Sequence, residues 1–181
     1  MPAAPAVSVS ATSSSLSAGF TLIELMVALA VAGVLLGVGV PSFRDGLLSN
    51  RAKAVATDIH LGFLMARSES LKRSANIDIV ASGGNWTNGW TVEVQATNEV
   101  LRGNDASNGV SIACGTSPSS ASGACASTIT FGRNGRPTVY TEFRTYIADK
   151  TSIQARCVSI SLSGQPRVTV DTDNNPDNGC N

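Results

Sequence analysis

The chain has 181 residues, and its 13 basic and 13 acidic side chains leave no formal net charge, with only 14% of residues charged. Without a global field it is not built for general attraction to nucleic acid, so any such binding has to be local. Its one histidine, His60, lies in a helical pattern and none of the many Ser and Thr residues has a base placed to activate it, so neither enzymatic activity nor a cofactor is expected.

Residues 1–18 are rich in Ser and Ala and contain no Lys or Arg. The run Gly19-Phe20-Thr21-Leu22-Ile23-Glu24 follows and opens an apolar stretch. From Phe20 to Val40 there are 21 residues, and Glu24 is the only ionisable one. About 20 residues cross a ~30 Å hydrocarbon core, so this segment predicts a membrane-spanning helix. A carboxylate inside it costs roughly 2.5–3.5 kcal/mol and marks a functional residue that needs a partner. The stretch is too long for the apolar core of a secretory signal, and no small-residue cleavage site ends it.

Beyond Pro41, which should bend the helix by removing one hydrogen bond, the helical period resumes. Leu48, Ala52, Val55, Ile59, Gly62, Phe63 and Ala66 recur at spacings of three and four, while Arg44, Arg51, Lys53, Asp58 and Arg67 take the other sides. The amphipathic half should end near Ser74. The period then becomes two. Ile77 and Ile79, Trp90 to Val94, Val110 and Ile112, Ile129 and Phe131, Val158 to Leu162, and Val168 and Val170 predict short strands of an antiparallel sheet. Ser163-Gly164 reads as a hairpin turn, and Pro166 places the returning strand late or at an edge.

This is an α+β arrangement: 1–19 a leader, 20–40 the membrane half of the helix, 41–75 its amphipathic half, and 76–181 one β-rich domain. The four cysteines, Cys114, Cys125, Cys157 and Cys180, all follow the membrane segment and predict two disulfides in an oxidising compartment. Three connectivities are open. Locality favours Cys114–Cys125 across a Gly/Ser-rich loop and Cys157–Cys180 pinning the tail, and no spacing suits zinc. In the tail, Asp171, Asp173, Asn175 and Asp177 alternate like a calcium loop, but Pro176 stands where such a loop needs Gly and no bidentate Glu follows. A polar turn closed by Cys180 is the plainer reading.

The hexapeptide from Gly19 to Glu24, with about sixteen apolar residues after it, resembles the processing site of prepilins. The resemblance implies cleavage after Gly19 by a prepilin peptidase, methylation of the new N-terminal Phe20, and a mature chain of 162 residues. It also implies that Glu24 faces the terminal amine of a neighbouring subunit and guides docking. The leader departs from the pattern by lacking a basic residue beside Gly19. Arg44 alone would argue for the reverse orientation, so the topology rests on the resemblance.

Residues 66–73, the strand at Ile77–Val80, Gly89-Trp90-Thr91-Val92, Phe131 to Arg136 and Val158 to Ser161 are similar to the family of type II secretion pseudopilin H and the minor pilins FimT and FimU. The family implies an inner-membrane protein with its C-terminal domain in the periplasm that joins other major and minor pilins or pseudopilins. The strand cysteine with a terminal cysteine resembles the pilus members more than the secretion ones. The main expectation is therefore a minor pilin, with a secretion pseudopilin as the alternative. A third reading is DNA capture, which in FimT-type pilins goes with a Gly-Arg-x-Arg stretch. Here the place reads Gly164-Gln165-Pro166-Arg167, keeping one of two arginines. Arg133, Arg136 and Arg167, with Arg144 and Arg156, are the candidate phosphate contacts.

Overall fold

A computed structural model describes residues 19–115, 125–173 and Cys180. The described residues fall into two compact units, one ending at Pro41 and the other beginning at Ser42. Helix α1, Leu22–Arg73, contributes to both and remains helical at Pro41.

In the first unit the described side chains are exposed, including Leu22, Leu29, Leu35 and Leu36. A helix apolar on every side has no preferred core face and needs lipid or other helices around it. By length and composition it is able to cross a membrane.

In the second unit one stripe of α1 is buried. Ala52, Ala56, Ile59, Phe63 and Ala66 are at most 2% exposed, and Leu48 and Val55 pack beside them. Ser74 adopts φ 49°, and the Ala75 N–H closes back on the Ser70 carbonyl at 3.3 Å, a Schellman-type stop one residue before the expected end.

Among the described residues eight strands follow: β1 Ile77–Ala81, β2 Trp90–Val94, β3 Glu99–Asn104, β4 Ser111–Gly115, β5 Thr128–Phe131, β6 Thr141–Tyr146, β7 Arg156–Ile160 and β8 Pro166–Val170. They form two antiparallel four-stranded sheets, ordered β3-β2-β1-β5 and β4-β6-β7-β8, rather than the single sheet expected. The two share one core. Phe63 lies 6.2 Å from Phe131 of the first sheet and 5.8 Å from Phe143 of the second, so one helix side chain bridges both. Trp86, between β1 and β2, packs on Phe143 at 4.5 Å and donates its indole N–H to the Ala126 carbonyl.

Gly62 is needed where α1 crosses β2, because a Cβ there would stand 2.6 Å from the Trp90 ring. Two ion-pair groups tie the helix to β3. Arg102 meets Asp58 at 3.3 Å, and Arg73 binds Glu69 at 2.6 Å and Glu99 at 2.9 Å. The Arg73 hydrogen bond holds the Glu69 carboxyl below its usual range. Pro166 does open an edge strand, as β8 ends its sheet. Leu162, read as part of a strand, lies in the β7–β8 turn and is 52% exposed, because the chain reverses before its side chain reaches the core.

Candidate processing and assembly sites

At the N-terminus of α1, Thr21 occupies the position before the first helical residue. Its hydroxyl accepts the Glu24 backbone N–H at 3.3 Å and donates to the Glu24 carboxylate at 3.5 Å. Thr-x-x-Glu is a capping-box spacing, so Glu24 also helps to begin the helix. The Thr-x-x-Glu spacing alone carries the signal for that local role. Gly19, Phe20 and Glu24 are all exposed, and among the described residues the Glu24 carboxylate meets the Thr21 hydroxyl.

A second constellation lies on the side of β6 facing away from Phe143. Strand alternation puts Glu142 and Arg144 there, opposite Ser159 and Cys157 of β7. Both are nonetheless buried, at 6% and 4% exposure, with Asp171 against Arg144 and Cys180 against Glu142. Asp171, fully buried, accepts from the Arg144 Nε at 2.6 Å, and its own N–H donates to the Ala155 carbonyl. Cys180 is bonded to Cys157 and lies beside Glu142, to which it offers a backbone N–H. Burial pushes the Glu142 carboxyl up, against hydrogen bonds from Tyr140 and Cys180. Burial and that carboxylate likewise push the Tyr140 phenol up. The other bridge joins Cys114 on β4 to Cys125.

This tail corrects two expectations. Arg144 does not belong to an exposed basic patch, since it is buried against Asp171 and stacked 5.2 Å from the Tyr146 ring centroid. Arg156 is half-buried, with a Nε sealed from solvent. Asp171 is likewise unsuited to calcium, because a guanidinium at 2.6 Å already neutralises it. Asn175 and Asp177 lie outside the described residues. Among the described residues no cluster of His, Cys, Asp or Glu could hold a metal.

The third constellation is the end of the domain where α1, the β5–β6 loop and the β7–β8 hairpin meet. Gly135 (φ 72°) approaches the Leu71 side chain, Arg67 donates to the Gly164 carbonyl at 2.7 Å, and Arg136 donates to the Leu162 carbonyl at 2.8 Å. Arg133 and Arg136 are exposed, as is Arg167 on β8. These side chains make no carboxylate ion pair among the described residues. Arg67, assigned above only to the polar side of α1, joins them through the fold. Beside Arg167 lies an open cleft of 280 Å³ lined by Tyr140, Ser159, Ser161, Gln165 and Pro166.

Comparison with known proteins fits these features. The family model described as type II transport protein GspH matches residues 55–164, and the prokaryotic N-terminal methylation motif matches residues 14–40. Among solved structures, the type IV minor pilin FimU of Pseudomonas aeruginosa superposes with a TM-score of 0.55 at 21% identity, covering 73% of this chain and 96% of FimU. A second crystal form of FimU gives 0.53 at 21% identity, covering 71% and 99%. The minor pseudopilin EpsH of the Vibrio cholerae type 2 secretion system gives 0.52 at 12% identity, covering 67% and 98%. No curated protein sequence matched.

Proposed function

Because the chain belongs to the GspH family of pilin-like proteins, we propose that it is a processed minor subunit of a type IV pilus, anchored in the inner membrane with its β domain in the periplasm before assembly. The observation that carries this is the union, in one chain, of the GspH domain with the methylation motif. Prepilin peptidase removes residues 1–19, and the methylated amine of Phe20 and the Glu24 carboxylate of adjacent subunits relieve each other's cost of burial. The Cys157–Cys180 bridge supports the pilus over the secretion filament.

Intact-mass measurement of the membrane form and detection in sheared pili test this. The mature chain should begin at methylated Phe20 and Gly19→Val should block maturation. Glu24→Leu should insert in the membrane but enter pili less. A mature chain that begins upstream of Phe20, or its presence only among secretion pseudopilins, refutes the proposal.

The arginine end supports a second reading, weak salt-dependent DNA binding through Arg67, Arg133, Arg136 and Arg167. Gln165→Arg should tighten a low-salt mobility shift, and Arg167→Gln should weaken it.

A further inference from the structure

The face of α1 turned away from the core of the second unit is not an ordinary solvated surface. From Phe43 to Ser68 the positions 43, 47, 50, 54, 57, 61, 64 and 68 alternate at spacings of four and three, all are exposed, and none is ionisable. Phe43 is 69% exposed, and Leu47, Leu61 and Leu64 are 41–45% exposed. Ala54 continues the seam. Of its polar members, Thr57 satisfies its hydroxyl on the Lys53 carbonyl of its own helix at 2.9 Å, leaving Asn50 and Ser68. A seam with a mean spacing of 3.5 residues over nearly four heptads is the pattern by which one helix packs along another, and one polar residue such as Asn50 fixes register there.

The charges sit on the flanks of this seam. Arg44, Arg51 and Lys53 are exposed and make no ion pair among the described residues. The one flanking carboxylate, Asp58, is already held by Arg102 at 3.3 Å. A second copy of this chain would therefore bring three cations and no free anion to the flanks. From the spacing and this imbalance we infer that the seam docks the helix of a different pilin-type subunit, one that carries Asp or Glu beside its own apolar seam. The inference rests on the filament reading and specifies the neighbour. Flanking charges choose the partner, because like charges across a helix pair reject the wrong one.

The test uses the full-length protein in its host, with a photo-crosslinking amino acid at Ala54 and two variants, Leu61→Asp and the double charge reversal Arg51→Glu with Lys53→Glu. These positions lie outside the core, so the variants should melt within a few degrees of wild type. Incorporation into filaments should fall by about tenfold, a loss of roughly 1.4 kcal/mol in docking. Lys at the acidic partner positions should restore the double variant. The crosslink should map to the helix of another pilin-type subunit with acidic flanks. Crosslinking to a second copy, or to a helix without acidic flanks, overturns the inference. So does wild-type incorporation of both variants, and in that case the filament reading survives. If wild type itself is missing from filaments, that reading fails first and the inference falls with it.

Discussion

Replacing Asp171 by Asn should be among the most damaging single changes in the β domain. It neutralises the carboxylate that meets the Arg144 Nε at 2.6 Å, in an ion pair whose two side chains are 4% and 0% exposed. Breaking a buried ion pair by removing one partner costs about 3–5 kcal/mol. The total stability of a domain is about 5–15 kcal/mol, so the variant approaches the limit of folding. At roughly 3 °C per kcal/mol for a unit of this size, the melting temperature should fall by about 10–15 °C. Lys150 and Asp45, 2.9 Å apart but 46% and 38% exposed, give an internal control. Asp45→Asn should cost under about 1 kcal/mol. The assay is denaturant unfolding of the detergent-solubilised protein, followed by the fluorescence of buried Trp86 and Trp90. A cost for Asp171→Asn no larger than that of the control would refute the claim that the tail seals Arg144 from solvent. Arg144→Met with Asp171→Leu should recover much of the loss, since apolar groups of similar size need no partner.

The remaining expectations concern the same domain. Cys180→Ser opens a bridge spanning 23 residues and should cost about 3 kcal/mol on loop-entropy grounds, with peptide mapping to confirm that Cys157 is freed. Gly62→Ala should destabilise by about 1–3 kcal/mol, despite a gain of almost 1 kcal/mol in helix propensity, because its Cβ meets the buried Trp90 ring. The raised Glu142 carboxyl means that the folded state holds a proton more tightly than the unfolded chain. Wild-type stability should therefore gain as pH falls from above the raised value toward about 4.3, the usual unfolded value. Glu142→Gln should be more stable than wild type at neutral pH, with the difference closing in acid. A variant less stable than wild type at pH 7 would show that the accepted hydrogen bonds outweigh the burial cost.

The α1 stripe was legible because period and burial coincide. Each of Leu48, Ala52, Val55, Ile59, Gly62, Phe63 and Ala66 proves buried or half-buried. Strands β1, β2, β5 and β7 were legible for the same reason. Strand β6, Thr141-Glu-Phe-Arg-Thr-Tyr146, was not, because it is buried on both faces and its Glu142 and Arg144 break the alternation, Arg144 being paired with buried Asp171. Strand β3 was missed because its Glu99 and Arg102 pair with helix charges instead of filling a core. The division into two sheets was equally hidden, since alternation reports which face is buried and not which neighbour a strand pairs with. The exposed arginine end could be read only in part. Arg133, Arg136 and Arg167 stand out in sequence, but Arg67 reaches them through a contact 97 residues away.

The tail also gives the folding of the domain a direction in time. A chain synthesised N-terminus first can lay α1 against both sheets while Glu142 and Arg144 are still open to water, and the last cover arrives with Asp171 and Cys180. Until then the finished strand order carries an unsealed pair of charges, so completion is signalled by the C-terminal residues and not by the core. The Cys157–Cys180 bond then fixes Cys180 to β7. Loss of the residues from Asp171 onward should therefore resemble a charge-burial defect more than a truncation of a loose end.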